Sequence, residues 1–303
     1  MSTRTTLPRH DRVILWGFRS ETQDSFRHIW RHYAHALACL EKEHVWVDDE
    51  KAFRDILRPG DLVFAVDVAA HNLGAPVAGV DYLSHNVSDT HPVRQGLEPE
   101  RCVYLQVWTN ACADRGESWG PVRRWDAHSR VLYQPWGTNL LPWEFREPVF
   151  DPDSKIVSFV GSVWDGGGQG NRNEIAQLKK AVEKHGLTFD HRAGVSDEHN
   201  EQLVRASRFA PAIAGAWQVE NEYLPCRVFK NISYGQLGLT NVWKFADLFG
   251  EAHTINTHIT DLVDRALAIK EGESLDLVRA QQEVVKDYTY LTSLEMIGRA
   301  FDS

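Results

Sequence analysis

The first apolar run, RVILWGF (12–18), predicts a strand. A polar loop, RSETQDS, follows it. Phe26, Ile29, Trp30, Tyr33 and Leu37 then recur at helical spacing, which predicts a helix over 25–42 with those residues on its buried face. HVWVDD (44–49) predicts another strand, 51–57 a short helix, and DLVFAVDV (61–68) a further strand. Strand patterns also lie at 79–82, 103–107 and 130–133. Strands alternating with helices predict a parallel sheet covered on its faces.

The stretch PWEFREPVFDPDS (142–154) is rich in proline and charge and reads as a linker. Beyond it the βα rhythm restarts. KIVSFVG (155–161) predicts a strand, WDGGGQGN a glycine-rich loop, and 172–184 a helix. Strands are expected at 188–191 and 210–214, a helix at VFKNISYG, a strand at LGLTN and a helical tail over roughly 275–301. The pattern predicts an α/β protein of two lobes, 1–148 and 149–285, followed by a helical stretch over 286–303. Neither an internal repeat nor a low-complexity segment interrupts it.

Composition narrows the chemistry. With 303 residues, 43% hydrophobic and 25% charged, the chain can bury a sizeable core. A net charge of −9 provides no electrostatic footprint for duplex nucleic acid or an anionic membrane. The eleven tryptophans are expected mostly in the core, with some free to face sugar rings. The N-terminal MSTRTTLPRHDR has no apolar signal core, and no run of ~18 apolar residues follows, so a cytoplasmic protein without a membrane span is expected. Cys39, Cys102, Cys112 and Cys226 form no CxxC pair and read as reduced, mostly buried thiols rather than zinc ligands.

Two segments carry the candidate chemistry. In FVGSVWDGGGQGNRNE (159–174) a strand ends at Gly161-Ser162 and a helix begins near Arg172. Backbone N–H groups at such a junction, the helix dipole and the Arg172 guanidinium all favour an anion. The spacing is neither GxGxxG nor GxxxxGK[ST], which excludes a Rossmann fingerprint and a P-loop. The plainer alternative is a surface loop with Asn171 as a helix cap. In ENEYLPCRVFKNISYGQLGLTN (220–241), Arg227, Lys230 and Asn231 fall in the first turns of a short helix that stops at Gly235. Cations there oppose the helix dipole, an arrangement that an anionic ligand would explain. The alternative is an ordinary crossover with solvated Arg and Lys.

The 220–241 run resembles the donor-binding element in the C-terminal lobe of GT-B glycosyltransferases of the family 1/4 type. There an acidic residue, a short helix of the type FEAxAxG and a following strand hold a nucleotide sugar. The matching helix here is Phe229-Lys230-Asn231-Ile232-Ser233-Tyr234-Gly235, and the matching strand is Leu239-Thr240-Asn241. FVGS…R is similar to the diphosphate-facing loop of the same lobe, DYTYLTSLEMIGRAF to the closing helix, and ILWGFRSETQDSFRH to the acceptor-side lobe. The resemblance implies two Rossmann-like lobes facing across a cleft, with the helix over 286–303 packing back on the first lobe. It also implies sugar transfer from a nucleoside-diphosphate sugar to an acceptor carbohydrate or other hydroxyl compound, without metal or further cofactor. Gly161, Ser162, Arg172, Glu222, Arg227, Lys230, Asn231 and Ser233 are then the expected donor-binding residues. Where the two-glutamate families place a ribose-binding Glu, this chain has Lys230, which cannot accept a hydroxyl hydrogen bond and suits the diphosphate leaving group instead.

His85, in a pair with Asn86 after a strand pattern, and Asp24, ahead of the first helix, are candidate bases for the acceptor hydroxyl, alongside Lys230 as the catalytic cation. His28, His32 and His35 form a stripe opposite the apolar face of that helix and are expected in solvent rather than on a metal. Asp151-Pro152-Asp153 reads as a turn. Rival readings are a sugar-nucleotide epimerase or phosphorylase of the same fold, or a non-catalytic nucleotide-sugar-binding module.

Overall fold

The computed structural model describes residues 7, 9–19, 25–66, 76–85, 98–107 and 116–303, which divide into two compact units. The first takes the described residues up to Val107, then 116–134 and Tyr290–Ser303; the second takes Pro135–Thr289. In the first, β1 (Arg12–Trp16), α1 (Ser25–Cys39), β2 (Glu43–Val47), α2 (Glu50–Ile56), β3 (Asp61–Val66), β4 (Asp81–His85) and β5 (Cys102–Gln106) precede a meander of β6 (Glu117–Gly120), β7 (Arg123–Asp126) and β8 (Val131–Tyr133). They join in one sheet of order β2-β1-β3-β4-β5-β8-β7-β6. Pairing is parallel from β2 to β8 and antiparallel through β7 and β6. Every residue of β1 is buried, as its unbroken apolar run requires. The polar exception, Arg12, lies at its first position and grips the fully buried Asp61 of β3 through Nε and Nη2, at 3.0 and 2.7 Å.

The second unit runs β9 (Ile156–Val160), α3 (Arg172–Lys184), β10 (Thr188–Arg192), α4 (Asp197–Arg205), α5 (Ala216–Glu220), α6 (Cys226–Ser233), β11 (Leu239–Thr240), α7 (Ala246–Phe249), β12 (Thr254–Ile255), α8 (Ile259–Ala268) and α9 (Glu271–Val285). β9 pairs with β10 and β11 with β12, both parallel. The stretch expected as a strand at 210–214 is irregular, with one isolated bridge, Ala212 to Thr240. It still links the two pairs. Arg208 N–H donates to Ile156 O at 2.7 Å, and Ala212 N–H donates to Leu239 O at 2.8 Å. Val157 and Phe159 of β9 bury against Ile175 and Leu178 of α3 and Leu262 and Val263 of α8, one core beneath the sheet.

The stretch read as a linker packs inside the second unit. Arg146 N–H donates to Ser233 O at 2.9 Å and Val149 N–H to Gly235 O at 2.8 Å, so it caps the end of α6. Asp151 Oδ1 accepts from the N–H of Asp153 and Ser154 at 3.0 and 3.1 Å, which makes the expected turn. The last helix, α10 (Tyr290–Asp302), returns to the first unit and buries Leu294, Ile297 and Phe301. Its Ser293 Oγ meets Tyr33 Oη at 3.1 Å and accepts from Gln134 Nε2 at 2.7 Å.

Two expectations about side-chain exposure fail. His32 is buried against Tyr290, ring centroids 5.3 Å apart, because α10 covers the side of α1 assigned to solvent. Cys39, at the end of α1, is exposed, whereas Cys102 is buried and Cys226 partly so. Cys112 lies outside the described residues.

Candidate functional site

The glycine-rich loop leaves the carboxyl end of β9 and is built rather than slack. Gly161 has φ 151°, a region that favours glycine. Its N–H donates to Arg192 O at 2.8 Å, and its carbonyl accepts from His191 Nε2 at 2.8 Å. Asn171 stands at the cap position of α3, yet its side chain bonds no helix N–H. Instead it is 4% exposed and pins the loop, accepting from Trp164 N–H and donating to Ser162 O, both at 3.2 Å. At Gly170 a Cβ would overlap the Trp164 carbonyl, and at Gly215 it would overlap the Gly170 carbonyl. The loop thus seats directly on the start of α5. Arg172 points outward, well exposed, 3.7 Å from Asp165.

α6 presents Arg227 to the same place. The guanidinium lies 4.3 Å over the Phe159 ring and against Gly161, where a Cβ would overlap Nη2. Burial lowers its pKa, but an arginine so placed remains a cation. It makes no hydrogen bond or ion pair among the described residues. Lys230, one turn along, is neutralised by Asp197 at the start of α4, 3.3 Å away. Asn231 and Ser233 are buried and hold the helix. Asn231 Nδ2 donates to Ala210 O at 2.7 Å, and Ser233 Oγ donates to Lys230 O at 2.8 Å while meeting Thr138 Oγ1 at 2.7 Å. Glu222 has φ 53°, closes α5 and pairs with Lys244 at 3.3 Å; Lys244 also reaches Asp247 at 2.9 Å.

The structure therefore brings Gly161, Ser162 and Arg227 together at the carboxyl edge of β9. It places Lys230 nearby but paired, Arg172 at the surface, Glu222 in its own ion pair, and Asn231 and Ser233 in the framework. Sequence reasoning missed His191, whose only signal is its place at the end of the strand pattern TFDHR on the same side as Phe189.

In the first unit, His85 ends β4 with no exposed surface. Trp30, Tyr33 and Phe64 enclose its ring at centroid distances of 5.1, 5.7 and 6.4 Å. Burial pushes its pKa down to about 3, so the imidazole is neutral at neutral pH and a weak proton acceptor. Asp24 and Asn86 lie outside the described residues.

Parallel strands in both units, with a loop and helix start converging on a guanidinium in the second, accord with the GT-B fold, the fold the protein has. Three solved structures of that fold resemble it over nearly their whole length. One is the apo structure of OtsA, with TM-score 0.58 and 8% identity, covering 96% of this chain and 99% of that one. The β-glucosyltransferase of phage T4 matches with TM-score 0.52 and 9% identity over 96% and 100% of the two chains. A UDP-forming α,α-trehalose-phosphate synthase from Burkholderia xenovorans matches with TM-score 0.52 and 9% identity over 97% and 99%. Identities this low establish the fold alone. No family model and no curated protein matches the sequence.

Proposed function

We propose that the protein is a glycosyltransferase that moves a sugar from a nucleoside-diphosphate sugar to an acceptor hydroxyl. The second unit would hold the donor and the first the acceptor. The observation that carries this reading is Arg227, a half-buried guanidinium without a hydrogen bond or ion pair among the described residues, packed on Gly161 at the carboxyl edge of β9. A half-buried cation that no carboxylate neutralises attracts an anion more strongly than a fully hydrated one, and a bound diphosphate supplies that anion. Bidentate contact to phosphate oxygens is what a guanidinium does best. As the sugar departs, charge grows on the leaving diphosphate, and Arg227 with the Ser162 N–H would stabilise it as a preorganised site without a metal ion. Lys230 would contribute once shared between Asp197 and the ligand.

The fold supports the same chemistry, since structures it resembles are named a β-glucosyltransferase and a UDP-forming synthase. The His85 side chain is too enclosed to take a proton readily, so in this reading it belongs to the core of the first unit. Asp24 is then the proposed base.

A panel of UDP-, GDP-, ADP- and CDP-sugars tests the proposal by thermal shift and by sugar release or transfer. One base should stabilise the protein by about 3 kcal/mol at a hundredfold excess over Kd, with slow hydrolysis or transfer. Binding without any turnover would indicate a non-catalytic module. No shift with any of them rejects the reading.

A further inference from the structure

The peptide between Gly161 and Ser162 is held from one side. A carbonyl oxygen can only accept, so His191 Nε2 carries the proton in its 2.8 Å bond to Gly161 O. The Gly161 N–H is tied to Arg192 O at 2.8 Å, so both bonds run to β10, where His191 is the register partner of Phe159. In a trans peptide the carbonyl and the following N–H point in opposite directions. The Ser162 N–H is therefore turned away from His191, and it donates to no acceptor among the described residues. On Gly161 itself lies the guanidinium of Arg227, in space that only a missing Cβ leaves open. On β10, Arg192 and Asp190 neutralise each other at 2.9 Å, so His191 is the neighbour that contacts the loop through a side chain.

We propose that His191 is a positioning residue of the anion site: by holding the Gly161 carbonyl on β10 it aims the Ser162 N–H at the phosphate oxygens that Arg227 neutralises. The inference rests on the reading of this site as a diphosphate site. A glycine peptide without that anchor is free to turn over, and the turned peptide presents a carbonyl oxygen to the anion in place of an N–H. His191 acts through the peptide and needs no contact with the ligand.

Inorganic pyrophosphate probes the diphosphate half of the site whatever base the donor carries. Calorimetric titration and the backbone amide resonance of Ser162 provide the two readouts. His191→Phe keeps a ring beside Phe159 and removes the donor; His191→Gln returns an N–H to nearly the same point. Pyrophosphate should shift the Ser162 resonance of the wild type. His191→Phe should bind about tenfold more weakly and lose that shift, and His191→Gln should recover affinity to within about twofold. Wild-type affinity and an intact Ser162 shift in His191→Phe overturn the assignment of His191 alone. Equal weakening in both variants, with a lowered Tm, shows a structural role and overturns it too. If the wild type binds neither pyrophosphate nor any nucleoside diphosphate, the diphosphate reading itself fails.

Discussion

Arg227 serves ligand binding more than stability. Its guanidinium is half-buried and lies on Phe159 without a carboxylate to balance it. Arg227→Met keeps the hydrocarbon contact and removes the charge. That variant should lose about a hundredfold in nucleoside diphosphate affinity by titration, with an unchanged Tm, because the contact with Phe159 is kept and no ion pair is lost. Lys230→Ala should weaken binding less, since Asp197 already holds the ammonium in the free protein. Full activity in both variants would remove the basis for placing the diphosphate here. Gly161→Ala tests the same site from the backbone. Its methyl would occupy the place of Nη2 at a φ of 151°, so displacement of Arg227 should cost at least tenfold in affinity, visible in the same titration.

Between residues and whole units stand the loop and the two elements that frame it. Asn171, Gly170 and Gly215 make the loop a fixed shape, and Gly215→Ala should lower Tm by several degrees through a clash with the Gly170 carbonyl. Thermal unfolding followed by circular dichroism measures it. Much of this scale was legible in the sequence. β1 and α1 were visible in the apolar run and the helical stripe, because burial on two faces and on one face leaves different periods. The strand–glycine–helix junction and the Arg227 helix were visible as motifs. The β6–β7 hairpin was not, since ESWG and RRWD carry mixed polarity and are held by Trp119 stacked on Trp125, centroids 5.6 Å apart. Nor could the pattern show that Lys230 has Asp197 as partner or that Asn171 grips the loop, because those contacts join segments distant in the chain. His32 misled for the same reason: helical period identifies one buried stripe, and a second helix can bury another.

At the scale of the molecule, His85 links the core of the first unit to pH. The unfolded chain takes up this proton near pH 6.5, while the folded imidazole resists it down to about 3. Stability should therefore fall as pH drops through that window, by ~1.4 kcal/mol per unit at most, and be unaffected by this group above it. Denaturant midpoints at stepped pH values should show the slope in the wild type and its loss in His85→Phe. A wild-type profile that stays flat from 6.5 to 4 would contradict the burial of the ring.

The return of α10 has a consequence for how the protein comes into being. The first unit is discontinuous: Tyr290–Ser303 supplies Leu294, Ile297 and Phe301 to its core, whereas among the described residues the second unit is drawn from Pro135–Thr289. Domains usually mature on the ribosome in the order they are made. Here the half translated earlier must wait for Tyr290–Ser303, which follows the second unit in the chain, and the half translated later can finish ahead of it. Stalled nascent chains ending near Thr289 should show a protease-resistant second unit beside a sensitive first one, with protection of the first appearing only when the final helix has emerged.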